Sequence, residues 1–184
     1  MDYQNPKPSN TILHTEILFY IREDNSIPKS MLYFIKHLTA DEQQIVTNSP
    51  LYVSLLIAGA DGNFDTDEKK RIVELVHIKT FTERFELQNL YKNLNNDSEE
   101  QIRNMISSLP ENTDERNTIL SELIARLNDI FPKLDASFSV QLYSSLRQFA
   151  VYISTADGGW WGISAVSDAE KAFVKLPMLN PPVH

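Results

Sequence analysis

The stretch Ile57-Ala58-Gly59-Ala60-Asp61-Gly62 reads as the end of an apolar helix, and it returns later in the chain as Ile153-Ser154-Thr155-Ala156-Asp157-Gly158. Before the first copy, Leu51 to Ala60 is apolar on nearly every side, the pattern of a central, buried helix. Before the second, Ser137 to Ala156 carries Leu142, Leu146, Phe149, Val151, Tyr152 and Ile153 at helical spacing. Each copy closes on a glycine, the residue type that accepts the left-handed conformation after a helix. A loop and an acidic helix start follow in both: Asp65-Thr66-Asp67-Glu68-Lys69 in the first, Ser167-Asp168-Ala169-Glu170-Lys171 in the second. The second loop is longer through an insertion, Gly159 to Ser164. The copies lie 96 residues apart, too far for a short solenoid repeat. The spacing therefore predicts two related helix hairpins facing each other in one bundle.

Working outward, residues 1–9 read as a flexible lead-in, 10–48 as an N-terminal helical extension, 49–177 as the main helical domain and 178–184 as a C-terminal tail. In the extension, apolar spacing predicts a helix over Thr11 to Arg22 and a second from Ser26–Pro28 through Leu38. A short helix over Asp41 to Val46 is expected to end before Asn48-Ser49-Pro50, because proline breaks a helix interior. Further helices are predicted over Asp67–Lys79, Glu83–Leu94 and Ser98–Leu109. A long amphipathic helix follows from Thr113 to Phe131, closed by Pro132, and a last one over Asp168–Leu176. No alternating strand pattern competes with these periods, so the fold class expected is all-α, a helical bundle with two such hairpins and extra N-terminal helices.

The bulk chemistry agrees. Within 184 residues, 42% are hydrophobic and only 5 are glycine, a composition that favours helices over turn-rich β architecture. A formal charge of −8 argues against nucleic acid, whose binding requires a basic face, and against an anionic membrane surface. Lys69, Lys70 and Arg71 form the one compact basic cluster and read as the solvated face of a helix. Cysteine is absent, which removes disulfides, thiolate nucleophiles and Cys-ligated metals from consideration. The polar segment Met1–Asn10 does not read as a secretory signal, and no apolar run reaches membrane-spanning length. A cytoplasmic protein without direct membrane insertion is expected.

The paired helix–Ala-Asp-Gly–loop–acidic-helix units carry a family resemblance. Over roughly residues 50–176 the chain resembles TerB-like (tellurite-resistance) domains, which are helical and built on such pairs. The resemblance implies a non-enzymatic bacterial protein linked to tellurite resistance or stress, with an acidic face proposed to hold metal ions.

The acids also have ordinary explanations. Asp65 with Glu68, and Ser167 with Glu170, stand at capping-box spacing. Asp67 and Asp168 fall in first turns, where the helix dipole favours negative charge. Asp61 and Asp157 follow the last turn of a helix, where the dipole disfavours a carboxylate. An Asx-turn, a bound cation, or an Arg or Lys from elsewhere would each hold them. Asp61, Asn63, Asp65 and Asp67 alternate like calcium ligands, but Thr66 and Ile72 stand where an EF-hand needs Gly and Glu. What stays open is an oxygen-ligand site for Ca²⁺ or Mg²⁺ drawn from Asp61, Asp65, Asp67, Glu68, Asp157, Asp168 and Glu170.

Trp160 and Trp161, set among glycines, read as one packed ring and one exposed partner-binding ring. His14, His37, His77 and His184 are dispersed and form no ligand or base-plus-nucleophile pattern, and no phosphate-binding or nucleophile-elbow motif is present. The chain is read as a binding or scaffold protein with a protein partner. The alternatives are an interaction-only subunit of a larger assembly, exposing apolar helix faces and a dockable tail from Leu179 to His184, or a hydrolase with two acids about 5–10 Å apart.

Overall fold

Thr39 followed three residues later by Glu42 is the signature of a helix start. The computed structural model has both bonds of the capping box: the Glu42 N–H donates to Thr39 Oγ1 at 3.3 Å, and the Thr39 N–H donates to Glu42 Oε2 at 2.9 Å. The structure describes residues 33–60, 62, 66–96, 98–156 and 168–183, with backbone alone at 66–68, 85, 95–96, 98, 156 and 168–170.

From this cap helix α1 runs Ala40–Ala58, through Pro50. The break expected at Asn48-Ser49-Pro50 does not occur. Proline removes the N–H that would have served the Val46 carbonyl, a loss of about 3 kcal/mol in an ordinary helix interior. Here the Ser49 hydroxyl donates to that same carbonyl at 2.8 Å. Every residue from Ile45 to Ala58 is buried, and that packing outweighs the defect. Buried hydroxyls are served locally as well, with Thr47 donating to the Gln43 carbonyl and Ser54 to that of Pro50. The 48/49 junction, where the sequence suggested that the extension meets the main domain, lies inside α1.

The remaining elements follow as α2 (Thr66–Thr82), α3 (Phe85–Asn96), α4 (Ser98–Ser108), α5 (Thr113–Ala125), α6 (Leu127–Ile130), a 3₁₀ turn (Phe131–Lys133), α7 (Ala136–Ala156) and α8 (Asp168–Phe173). No strand occurs among the described residues, and no described helix is long and apolar enough to cross a membrane. The fold is an all-α bundle. α1 sits at its centre, touching α2, α3, α5, α6, α7 and α8, while α2 and α3 form a tightly packed hairpin. One continuous core joins Leu55 and Ile57 to Leu90, Leu123 and Leu146.

Four local expectations are corrected. The helix predicted from Thr113 to Phe131 is interrupted at Arg126, and Pro132 sits within the 3₁₀ turn. That break keeps Leu127, Ile130 and Phe131 all buried while Arg126 pairs with Asp41 of α1. On α7, Val151 and Tyr152 belong to the outer face, 49% and 43% exposed, although they were expected in its apolar set. α8 stops at Phe173, three residues earlier than expected, and Leu176 takes a positive φ of 47°. Leu179 is buried, because Asn128 accepts from the Asn180 N–H at 2.8 Å and donates to the Met178 carbonyl at 2.9 Å. The C-terminal segment is therefore docked at its start. Of the predicted N-terminal extension, the helices before residue 33 lie outside the described residues. Beyond that point Ile35 and Leu38 are buried, and Phe34 stacks on Phe138 at 5.1 Å between ring centroids.

Candidate functional site

The end of α1 is built in three steps. The Gly59 N–H donates to the Leu55 carbonyl at 3.0 Å, that of Ala60 to Ile57 at 3.3 Å, and that of Gly62 back to Gly59 at 3.1 Å. Gly62 has φ +106°, and a Cβ there would lie 2.9 Å from Thr113 Oγ1. Both the backbone conformation and the contact demand glycine. The start of α5 clasps the turn. Arg116 Nη2 donates to the Gly59 carbonyl at 2.8 Å, and Asn117 Nδ2 to that of Ala60 at 3.4 Å. Arg116 is only 4% exposed. A guanidinium at a helix C-terminus meets outward-pointing carbonyls and the negative end of the dipole, which offsets part of its desolvation.

The sequence reading assigns no role to this arginine, which falls in the first turn of the helix expected from Thr113. The available signal was its phase: Arg116, Leu120, Leu123 and Leu127 share one buried stripe, and a cation on such a stripe needs a partner.

The proposed ligand residues fall as follows. Asp61, Asp65, Asp157, Trp160 and Trp161 lie outside the described residues, and Asp67, Glu68, Asp168 and Glu170 are described as helical backbone only. α2 begins at Thr66 and α8 at Asp168, which are the starts that the two capping-box spacings call for. The structure brings the helices of the two repeat units together: α1 packs on α7, α2 on α7, and α8 on both α1 and α7. Among the described residues no group of three His, Asp or Glu side chains forms a metal cluster. His37 is bonded to the Lys133 carbonyl, and the His77 ring meets Phe81 edge to face at 5.2 Å.

A second polar constellation ties α2, α3 and α7. Lys79 pairs with Glu83 and donates to Gln148 Oε1 at 3.2 Å; Ser145 donates to Glu83 Oε1 at 2.7 Å; the Tyr91 hydroxyl lies 2.7 Å from Ser145 Oγ. Tyr91 also stacks on Phe149, with centroids 5.9 Å apart. Burial pushes the Tyr91 hydroxyl upward, and because Ser145 spends its proton on Glu83, Tyr91 donates to Ser145. The chain of partners runs from Gln148 at the surface to Tyr91 in the core and acts as a polar rivet. Nearer the N-terminus, the Lys133 ammonium and the Thr39 N–H hold the Glu42 carboxyl down at about 2. Burial lifts the Tyr52 hydroxyl to about 12, with a smaller opposing pull from Asn48. Neither that hydroxyl nor the Asn48 amide nitrogen reaches a well-formed hydrogen bond among the described residues.

Comparison of the chain with protein-family models, with curated proteins and with solved structures finds no match.

Proposed function

We propose that this chain is a non-enzymatic, cytoplasmic binding or scaffold protein of the TerB-like kind, linked to tellurite resistance or stress. In this reading Asp61, Asp157 and the neighbouring acids bind Ca²⁺ or Mg²⁺, and the Trp160–Trp161 loop meets a protein partner. The observation that supports it is the direct packing of α1 on α7, since a site shared by the two Ala-Asp-Gly turns requires their helices to belong to one core. Calorimetric titration with Ca²⁺ and with Mg²⁺ tests it. At a hundredfold excess over the dissociation constant, a bound ion stabilises by about 2.7 kcal/mol, which raises Tm by roughly 5–10 °C for a domain of this size. The Asp61→Ala/Asp157→Ala protein is expected to lose that rise. A wild type that neither releases heat nor melts higher with either ion ends the metal reading.

A second reading, an interaction-only subunit of a larger assembly, is favoured by the apolar side chains left on the surface. Ile78 and Phe81 on α2 are 43% and 68% exposed, and Val151 and Tyr152 stand out from α7. The buried Arg116 at the end of α1 also favours it, because a protein cation already stands at that helix terminus.

A further inference from the structure

We infer that the groove between α2 and α4 is a docking site for an acidic, amphipathic peptide segment of a partner protein. The two helices pack against each other and leave a half-open groove of about 490 Å³, within the usual range for ligand sites. Its floor is aliphatic: Ile102 is buried, and Val73 and Ile106 are half-buried. Its rim carries Lys69 and Lys70 from α2 and Arg103 from α4, against the carboxylate of Glu99 among the described side chains. Lys69 and Lys70 read from sequence as a solvated face; the fold adds Arg103 across the groove and an apolar strip between them.

Charge complementarity selects the occupant. In a chain of net charge −8, a local excess of cations around apolar atoms stands out, and Lys69 and Arg103 enter no ion pair among the described residues. An apolar anchor on the floor with carboxylates at the rim satisfies both parts of the groove, the arrangement by which helical segments dock in grooves. The floor is short. Ile102 and Ile106 are one helical turn apart, about 6 Å of rise, which fits one or two apolar side chains and leaves an acyl chain without a bed. The acidity of the whole molecule opposes an anionic bilayer or a nucleic-acid backbone. This site shares no residue with the proposed metal ligands and does not depend on them.

The test is fluorescence anisotropy of a labelled peptide of about a dozen residues, with two leucines one turn apart flanked by glutamates. It is run on the full chain in about 0.1 M salt, where exposed charges still act over the groove. Saturable binding is expected. It should weaken about fivefold or more when glutamine replaces glutamate in the peptide, and likewise in a Lys69→Glu/Arg103→Glu protein. Lys92→Glu on α3, exposed and not part of the groove's lining, should bind as wild type. Unchanged circular-dichroism melts confirm that the variants fold. The Asp61→Ala/Asp157→Ala protein should also bind as wild type, so failure of the metal reading leaves this result standing. Absence of saturable binding overturns the proposal. So does equal affinity for the glutamine peptide, equal loss in Lys92→Glu, or binding of phosphatidylserine vesicles without binding of the peptide.

Discussion

α1 and α7 lead into the same Ala-Asp-Gly sequence, yet the bundle uses them differently. α1 is enclosed on every side from Ile45 to Ala58 and tolerates a proline in its middle. α7 keeps a helical alternation, with Phe138, Leu142, Leu146, Phe149 and Ile153 inward and Val140, Val151 and Tyr152 outward. At the first end α5 clasps the turn through Arg116, Asn117 and Thr113; the second turn lies outside the described residues. A repeated motif thus follows two helices whose bodies are packed differently. One helix became the axle of the bundle and the other part of its wall, because six other helices could pack around only one of them.

That contrast can be broken experimentally. Leu55→Ala in α1 is expected to cost about 3–4 kcal/mol in urea unfolding, since the fully buried site cannot collapse around the cavity. Val151→Ala on α7 should cost under about 0.5 kcal/mol. Similar values for both would erase the distinction between axle and wall. Arg116→Ala should cost about 2–3 kcal/mol, because it strips a charged donor from the end of α1 and leaves the Gly59 carbonyl with the Gly62 N–H alone; a loss below about 1 kcal/mol would show that the clasp is incidental.

Gly62→Ala sharpens the comparison at the turn itself. The positive φ and the 2.9 Å approach to Thr113 Oγ1 predict a loss of about 1–2 kcal/mol. In Thr113→Ala background the steric part should shrink while the backbone part stays. A Gly62→Ala protein as stable as wild type would refute the left-handed turn.

The smallest effect concerns the start of α1. Glu42 is held at about 2 in the fold against an ordinary value of 4.5. A lowered carboxylate contributes stability that is complete above the unfolded value and is lost as pH falls toward the folded one. Glu42→Gln, which keeps the capping geometry, should therefore lose less stability than wild type between about pH 4.5 and about 2. The difference should be modest, since its partner Lys133 is half exposed. Identical acid limbs would show that the ion pair contributes nothing.

Most helices were legible in the sequence, and the reasons are local. The all-round apolar run of α1, the capping spacing before α2 and α8, and the left-handed glycine at position 62 each depend on a few consecutive residues. The proline at 50 misled for the converse reason. Its helix survives because Ser49 serves the orphaned Val46 carbonyl and because neighbours distant in sequence bury both faces. Of the candidate site, the repeat and its helix starts were legible. The buried role of Arg116 was visible only as a phase, and its partner, the Gly59 carbonyl, lies 57 residues away.

By itself the sequence determined the all-helical class, the central character of Leu51–Ala60, the glycine that closes it and the acidic starts that follow, since periodicity, capping and φ preference act within a turn or two. Tertiary structure alone decided that α1 passes through Pro50, that Val151 and Tyr152 face outward, that Leu179 is docked by Asn128, and that Arg103 joins Lys69 and Lys70 around one groove. Those outcomes depend on which surfaces meet, and burial is settled by the packing of elements far apart in the chain.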